Sequence, residues 1–374
     1  MGTIIDYVKW RGDLTFDESD VNDIDLFALS IICILDFEDS ITNEEMTIGD
    51  LSEKYLEKNS DKSLGLIIPD DIKDLLDVMS KSNRFKNINL LDYVGINDTE
   101  RQMQFSACTF KLKEDLYFLG FSGTDDSIIG WKENLNLLYM DFVPAQEEAI
   151  KYVKNALSKY NGTFMCGGHS KGGNKAIVGA AFGGDERITR IVTYDSPGVS
   201  DYIANSLEYN KLLYKIYTYI PNFSIIGRLL NHKEHYKVIS CDAKGLAQHD
   251  PMIWHIEGKD FIYLDKLTEG AIKIDNKITD IIDQMEYDEK VGFCETCYKL
   301  LSTSNSLYLK ELEGKAVNIL TSYFKLPKEY KKYLYKPVMG LMKEKEFQKL
   351  LLGALGEYRA IKKRTQPKNK KDSN

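Results

Sequence analysis

One short glycine-rich stretch constrains the fold of this chain more than any other feature of the sequence. Residues 166–173 read CGGHSKGG, and they stand between a short apolar run and residues 174–181, whose pattern is typical of a helix. Gly168, Ser170 and Gly172 thus form a G-x-S-x-G pattern between a predicted strand and a predicted helix. Such a turn is too tight for side chains at the glycine positions, and it lifts the serine hydroxyl above the sheet beside a helix N-terminus. The pattern in this context predicts a nucleophile elbow.

The composition is that of an ordinary water-soluble globular protein. The chain has 374 residues, 43% hydrophobic and 28% charged, with a net charge of -8 that disfavours a nucleic-acid-binding surface over most of its length. No signal peptide is predicted, and the longest apolar run, residues 26–37, is interrupted by Asp36 and too short to cross a bilayer. The cysteines are scattered, several of them in apolar runs, which favours reduced thiols. A cytoplasmic location without nucleic-acid partner or integral membrane segment is therefore expected.

The sequence also offers little for a metal or a cofactor. Cys294 and Cys297 form a lone C-x-x-C pair, with no second pair and no redox-fold context. We expect no metal and no organic cofactor.

The chain divides into four parts by pattern. Residues 1–100 are predicted to be mostly helical and packed on the core, and Thr42-x-x-Glu45 predicts one helix start there. Residues 101–265 alternate apolar strands with helices, which predicts an α/β fold with a mostly parallel sheet and helices on both faces. Residues 266–361 are predicted to be a helical extension, with breaks at Pro327 and Pro337, and residues 362–374 a basic disordered tail.

A serine nucleophile requires a base, and the chain has five histidines. His249 lies in a loop after the last predicted core strand, where hydrolases with the chain order Ser, acid, His carry their base. His232 is the next candidate. His169, inside the elbow, is expected to point away from the serine and to pack.

The acid that would orient the histidine is predicted to be Asp195. It ends the predicted strand 190–194, at the carboxyl edge where open parallel sheets meet their ligands. An aspartate before Ser-Pro-Gly can instead form a turn by bonding its own backbone. Asp201, Asp242 and Asp250 are weaker alternatives.

Two backbone donors are required to stabilise an oxyanion. The N–H of Lys171, directly after the serine, is one candidate. The loop 121–126 supplies the other, because Gly123 permits close approach and the N–H or hydroxyl of Thr124 could face the oxyanion.

The order of three motifs is similar to that of fungal-type (class 3) triacylglycerol lipases. They are FSGT at 121–124, WKEN at 131–134 and GHSKGG at 168–173, although those lipases have arginine where this chain has Ser122 and usually leucine at Lys171. The Ser-Lys-Gly-Gly-Asn form, Asp195 before a Pro-Gly turn and the sequence Gln-His-Asp around His249 more closely resemble an uncharacterised bacterial branch of α/β-hydrolase-like proteins. The resemblance covers roughly residues 4–265.

This resemblance implies an α/β-hydrolase core in which Ser170 is the nucleophile, His249 the base, and Thr124 and Lys171 lie near the oxyanion donors. In fungal-type lipases the acid lies in the loop that corresponds to residues 221–227, which here contains no carboxylate. We therefore expect a serine hydrolase that cleaves a carboxylic ester or thioester, with an acyl ester or lipid as substrate. The alternative is a hydrolase-fold protein that binds a ligand or partner without turnover.

Overall fold

A nine-stranded sheet forms the centre of the computed structural model, which describes residues 1–42, 45–302, 306–312 and 316–349. The strands of this sheet and of one separate two-stranded pair are β1 (Met46–Thr47), β2 (Asn89–Asp98), β3 (Met103–Lys113), β4 (Leu116–Phe121), β5 (Thr163–His169), β6 (Ile188–Tyr194), β7 (Ile216–Pro221), β8 (Tyr236–Ile239), β9 (Ile256–Glu257), β10 (Asp260–Phe261) and β11 (Tyr263–Leu264). The order across the sheet is β1-β2-β3-β4-β5-β6-β7-β8-β11, and β9 and β10 pair separately.

The five central strands of this sheet, β4 to β8, run parallel, while β1 to β3 and β11 are antiparallel to their neighbours. The carboxyl ends of the parallel strands therefore meet at one edge. The turn after β5, which contains Ser170, lies on that edge between the ends of β4 and β6.

Helices cover both faces of the sheet. They are α1 (Ile4–Arg11), α2 (Asp23–Ile32), α3 (Ile48–Asn59), α4 (Ile72–Ser80), α5 (Ile128–Asn136), α6 (Pro144–Lys159), α7 (Lys171–Gly183), α8 (Asp201–Ala204), α9 (Leu207–Leu212), α10 (Glu269–Asp283), α11 (Tyr287–Leu301), α12 (Ala316–Lys325) and α13 (Lys328–Met342). The buried side chains of α1 to α4 share one core with one face of the sheet, and those of α6, α7 and α9 share a second core with the other face.

The side chains along each strand alternate between the two faces of the sheet, which explains why two separate cores form. In β4, Phe118 lies in the first core and Leu119 in the second, and in β6 Val192 and Ile191 divide in the same way. Successive side chains of a strand point to opposite faces, so uninterrupted apolar strands require cover on both sides. The α/β fold predicted from the sequence, with a mostly parallel core and helices on both faces, is confirmed.

The first 100 residues differ in part from the prediction of mostly helical structure. They contain four helices, but β1 and β2 also lie there and join the central sheet. β2 pairs with β3 through an irregularity between Leu91 and Val94, and Asp92 within it has a positive φ of 47°. A bulge of this kind interrupts the period-two pattern by which a strand is recognised in a sequence.

The helical extension contacts the core through α10, through α11 and through a short segment after α11. Glu295 of α11 receives a 2.6 Å hydrogen bond from Lys132 of α5, and Tyr308 bridges to Ser127. Pro337, predicted as a break, lies inside α13. The predicted tail, residues 362–374, lies outside the described residues. No helix in the described part of the chain combines the length and apolarity needed to cross a bilayer.

Candidate active site

The turn between β5 and α7 has the geometry of a nucleophile elbow. Ser170 has φ 55° and ψ -135°, a conformation that is strained for any residue other than glycine and is found at functional sites. A Cβ atom on Gly168 would lie 2.4 Å from the Gly172 carbonyl carbon, and one on Gly172 would lie 2.2 Å from the Phe121 oxygen. Only glycine fits at both positions, which is the physical reason for the G-x-S-x-G pattern.

A continuous chain of hydrogen bonds joins three of the predicted site residues. The Ser170 Oγ lies 3.0 Å from His249 Nε2, and His249 Nδ1 lies 2.6 Å from Asp195 Oδ2. The Asp195 side chain is 1% exposed and that of His249 is 30% exposed. The histidine can therefore reach a molecule arriving from solvent, while the carboxylate that contacts it is shielded.

The second oxygen of Asp195 is held by the loop after β7. Oδ1 accepts hydrogen bonds from Ser224 Oγ at 2.5 Å and from Gly227 N–H at 3.1 Å. These residues belong to the loop 221–227, which lacks the carboxylate that fungal-type lipases carry there. Here the loop contributes donors, and the carboxylate comes from the end of β6.

Asp195 also has an unusual backbone conformation, with a positive φ of 45°. Its own N–H donates to the Tyr219 oxygen of β7. The turn-forming role that the sequence left open for Asp195 therefore does not account for its side chain, whose two oxygens contact His249, Ser224 and Gly227.

The loop that carries His249 is fixed from the elbow side. His169 Nε2 lies 2.9 Å from the His249 carbonyl oxygen, and the two imidazole rings are 4.6 Å apart. Burial, reinforced by proximity to the His249 ring, lowers the pKa of His169 well below its usual range, so this ring is neutral and its Nε2–H donates. Trp254 Nε1 donates to the Gln248 oxygen at 2.8 Å and holds the same loop from the other side.

The loop after β4 packs directly against the elbow. A Cβ atom on Gly123 would lie 3.4 Å from that of Ser170 and 3.2 Å from the His169 oxygen. The hydroxyl of the buried Thr124 donates to Asn134 Oδ1 at 3.0 Å. The Thr124 hydroxyl is thus already engaged, and its backbone N–H remains as the candidate oxyanion donor.

Lys171 contributes the first N–H of α7, which has no acceptor within the helix. Its side chain is 2% exposed and turns away to pair with Glu133 Oε2 at 2.6 Å, where Glu133 is fully buried. Glu133 also accepts the N–H groups of Gln104 and Ala145. Three donors therefore satisfy this buried carboxylate, and the elbow is tied through it to α5.

Three consecutive residues of α5 connect separate parts of the molecule. The contacts are Lys132 Nζ to Glu295 Oε1 at 2.6 Å, Lys171 Nζ to Glu133 Oε2 at 2.6 Å, and Thr124 Oγ1 to Asn134 Oδ1 at 3.0 Å. They reach α11, the elbow and the loop after β4, respectively. The WKEN sequence at 131–134 thus supports both candidate oxyanion donors.

A second lysine of α7 lies in the interior without a carboxylate partner among its hydrogen bonds in the described residues. Lys175 is fully buried, and its Nζ donates a long hydrogen bond of 3.4 Å to Ser122 Oγ. Burial, with a contribution from the nearby Lys171 ammonium, lowers the pKa of Lys175 to about 7. The Lys175 amino group thus reaches Ser122 from α7.

The alternatives to the predicted site residues lie elsewhere. His232 Nδ1 pairs with Glu234 at 2.7 Å, and Asp201 accepts a hydrogen bond from Asn231. Asp242 lies 3.1 Å from His255 Nε2 and is exposed. Asp250, next to His249 in the chain, accepts the N–H of Met252, and burial raises its pKa to about 6. None of these four is hydrogen-bonded to Ser170 or His249 in the described residues.

The C-x-x-C pair lies on α11, where the Cys294 thiol donates to the Leu135 oxygen at 3.1 Å. Burial raises the pKa of Cys294 to about 12 and that of Cys297 to about 11, so both are protonated at neutral pH. No cluster of three or more potential metal ligands occurs in the ranges that the structure describes.

The sequence reasoning did not identify several residues that support this site. Glu133 lies in the WKEN motif, and between Lys132 and Asn134 the sequence gives no sign that this glutamate is buried. Ser224 and Gly227 have no sequence signal, because their loop contains no carboxylate and supplies hydrogen-bond donors instead. His169 was expected to pack away from the serine, and its bond to the His249 backbone has no counterpart in the sequence pattern.

The parallel core, the strained elbow and the residues around it define an α/β-hydrolase-type protein of the lipase-like class. A family model described as Mbeg1-like matches residues 79–299, more than half of the chain. The chain therefore belongs to the Mbeg1-like family. The resemblance to a bacterial branch and to class 3 lipases in particular stays a prediction.

Other comparisons add less. No curated protein matches the chain. Among solved structures, the chain is similar to one described as the crystal structure of M37 lipase, with 12% identity, a TM-score of 0.32, and coverage of 55% of this chain and 68% of that one. A likeness at this level says nothing about activity.

Proposed function

We propose that this protein is a serine hydrolase that cleaves a carboxylic ester or thioester through an acyl-enzyme on Ser170. The observation that carries the proposal is the hydrogen-bond chain from Ser170 Oγ through His249 to Asp195, with distances of 3.0 and 2.6 Å. A serine hydroxyl adjacent to an oriented imidazole is the arrangement that activates an oxygen nucleophile at neutral pH.

In the proposed reaction, Ser170 Oγ attacks the substrate carbonyl carbon while His249 Nε2 accepts the hydroxyl proton. The carbonyl oxygen becomes an oxyanion, and collapse of the tetrahedral intermediate expels the alcohol or thiol, which takes the proton from His249. Water then attacks the acyl group, again with His249 as base, and releases the acid and free Ser170. Asp195 keeps the Nδ1–H tautomer of His249 and stabilises the imidazolium.

The oxyanion would be stabilised by the backbone N–H groups of Lys171 and Thr124. The first lies at the N-terminus of α7, where the helix dipole favours negative charge. The second belongs to the loop that packs on the elbow and is braced by Asn134. Donors that are fixed before the reaction need no reorganisation when charge develops.

An acyl ester or lipid is the substrate class proposed here. Esters and thioesters have better leaving groups than amides, and no feature of the described site selects a peptide. Nothing in this chemistry needs a metal or an organic cofactor.

The test is labelling with a fluorophosphonate, with the adduct located by mass spectrometry. We expect a stoichiometric adduct on Ser170 in the natural protein, none in Ser170→Ala, and labelling at least about a thousand-fold slower in His249→Ala, because the base is lost. The matched control is His255→Ala, since His255 pairs with Asp242 and has no hydrogen bond to Ser170, His249 or Asp195 in the described residues. An unlabelled but folded natural protein, or equal labelling of His249→Ala, would contradict the proposal.

The alternative of ligand binding without turnover rests on the missing carboxylate in the loop 221–227 and on the long helical extension. That loop donates two hydrogen bonds to Asp195, so its lack of a carboxylate no longer argues against hydrolysis.

A further inference from the structure

Four apolar side chains form an exposed stripe along α13. Tyr335, Val338, Met339 and Met342 are 65%, 48%, 41% and 38% exposed. Their spacing of three and four residues places them on one side of the helix. Leu334 and Pro337 of the same helix are buried, so α13 packs on the protein through a different face.

A row of lysines runs beside this stripe. Lys328, Lys332 and Lys336 are exposed and recur every fourth residue, which places them on adjoining turns of one side of α13. None of the three is paired with a carboxylate among the residues that the structure describes. The outward surface of α13 therefore presents apolar groups next to unpaired positive charge, and we call it the α13 face.

The charge of the whole chain is divided at the same place. Residues 325–374 contain 15 Lys and Arg and 5 Asp and Glu, whereas residues 1–324 contain 34 and 52. The protein as a whole is acidic, with a net charge of -8, yet its last 50 residues are strongly basic. An anionic partner is attracted to this end and repelled by most of the remaining surface.

We propose that the α13 face docks the protein onto the surface of a bilayer that contains anionic lipids. An amphipathic helix with apolar and cationic sides lies in the plane of such a surface, with its apolar groups among the acyl chains and its lysines at the phosphates. The protein would bind the membrane without spanning it.

Other occupants fit the α13 face less well. A second copy of the same face would bring two rows of lysines together, and like charges in close contact are unfavourable. A nucleic acid would neutralise the lysines but leave Tyr335, Val338, Met339 and Met342 in water. A lipid surface can bury the apolar stripe and also pair with the lysine row. This docking is independent of hydrolysis at Ser170.

The experiment is co-sedimentation of the full chain with vesicles of phosphatidylcholine alone or with about one third phosphatidylserine. Two variants change the face. Tyr335→Ser/Val338→Ser/Met339→Ser removes three of the four side chains of the stripe, and Lys328→Glu/Lys332→Glu/Lys336→Glu reverses the charge of the lysine row. The matched controls change exposed residues elsewhere: Leu207→Ser/Tyr214→Ser for the stripe, and Lys9→Glu/Lys154→Glu/Lys211→Glu for the row.

We expect the natural protein and both controls to bind the anionic vesicles and not those of phosphatidylcholine alone. Each lysine near an anionic surface strengthens binding about five-fold, so reversal of three weakens it by about a hundred-fold or more. Loss of three apolar side chains should weaken it by about ten-fold or more. Circular dichroism checks that each variant remains folded.

Three results would overturn the proposal. One is absence of binding to anionic vesicles by the natural protein. Another is unchanged vesicle binding by the stripe variant, which would leave only general attraction of polyanions, as for a nucleic acid. The third is a dimer of the natural protein that dissociates in the stripe variant, which would assign the α13 face to a second copy.

Discussion

At the residue scale, the conformations of Ser170 and Asp195 stand out from those around them. Both have positive φ, 55° and 45°, in a region that residues with a Cβ rarely adopt. Each conformation costs on the order of 1–3 kcal/mol and must be held by its surroundings. The conformation of Ser170 is held by the close backbone contacts at Gly168 and Gly172. The contacts that hold the conformation of Asp195 include the hydrogen bond from its N–H to the Tyr219 oxygen.

The Asp195→Asn variant tests the tautomer argument. Ser224 and Gly227 donate to Oδ1, so the amide oxygen would stay there and the amide NH₂ would face His249 Nδ1. That donor would force the His249 proton onto Nε2, which could then no longer accept the Ser170 proton. We expect the rate constant for fluorophosphonate labelling to fall by roughly a thousand-fold or more.

The control for this variant is Asp250→Asn, which changes the neighbouring carboxylate without touching His249. Its expected labelling rate is close to that of the natural protein. A rate for Asp195→Asn that matches the Asp250→Asn rate would mean that Asp195 does not orient His249.

Lys175 gives the stability of the protein a pH dependence. Its pKa is lowered to about 7 in the folded protein, below its value of 10.5 in the unfolded chain, so the unfolded chain binds more protons between these limits. The contribution of Lys175 to stability is thus present above pH 10.5 and is lost as the pH falls through 7. The free energy of unfolding should rise with pH by roughly 1 kcal/mol per unit from pH 7 to 9.

The Lys175→Met variant isolates this effect. The methionine fills a similar space without a charge, so the difference in unfolding free energy between variant and natural protein should shrink steadily from pH 7 to pH 9. Urea denaturation at three pH values measures it. Parallel pH profiles for the two proteins would show that Lys175 does not titrate in this range.

At the element scale, α5 serves as a brace between the elbow and the rest of the molecule. The buried Glu133–Lys171 ion pair joins α5 to α7. The free-energy cost of removing two charges from water is offset only when each charge has a partner and hydrogen bonds. Glu133→Gln leaves the Lys171 ammonium buried without its partner charge. We expect a loss of about 3–5 kcal/mol in the free energy of unfolding, measured by urea denaturation.

A second substitution makes this prediction specific. Lys171→Met added to Glu133→Gln removes the stranded charge and should recover most of the loss. Lys151→Met, which breaks the exposed pair with Glu148, should change stability by less than about 1 kcal/mol. A double variant that is as unstable as Glu133→Gln alone would contradict the ion-pair explanation.

Several elements followed directly from the sequence, and others did not. Strand β4 comes from the uninterrupted apolar run 116–121, and helix α7 from the glycine-rich turn and the apolar run 176–182 that follows it. Neither needs information from elsewhere in the chain. The predicted helix start at Thr42 was wrong, because Met46–Thr47 pairs with Leu90 and Asn89 of β2, and Thr47 caps α3 instead. Thr42 and Thr47 could each cap this helix. The pairing of β1 with the distant strand β2 places the helix start after Thr47.

At the scale of the whole molecule, Asp126 links three distant segments next to the candidate oxyanion loop. Its Oδ1 accepts the Leu66 N–H at 2.8 Å and its Oδ2 accepts the Lys310 N–H at 3.0 Å. Its carbonyl oxygen accepts the Leu309 N–H at 2.8 Å. Residues far apart in the chain are therefore held by one buried aspartate, two positions after Thr124.

The Asp126→Ala variant should loosen both segments. Because Leu66 and Lys310 lose their acceptors, we expect their amides to exchange with deuterium about ten-fold faster or more. Hydrogen exchange read by mass spectrometry resolves these peptides.

Asp98→Ala is the matched control, since Asp98 also accepts two backbone N–H groups, those of Glu100 and Arg101. It should accelerate exchange only in its own turn. If hydrogen exchange at Leu66 and Lys310 is unchanged in Asp126→Ala, Asp126 does not hold these two segments together.

The sequence by itself determined the parts that depend on local sterics and periodicity. These are the elbow at Ser170, whose glycines are demanded by close contacts, and the α/β class, which follows from uninterrupted apolar strands. Chain order also singled out His249, and the end of a predicted strand singled out Asp195. Hydrogen bonds join Asp195 to His249 and His249 to Ser170.

The tertiary structure alone decided how these residues are held. Ser224, Gly227, His169 and Glu133 act through contacts between segments that lie from 29 to 80 positions apart in the chain. No local pattern records such contacts, because hydrogen bonds and buried ion pairs depend on distances in space. The elbow can therefore be predicted from the sequence, whereas the contacts that support it can be identified only from the tertiary structure.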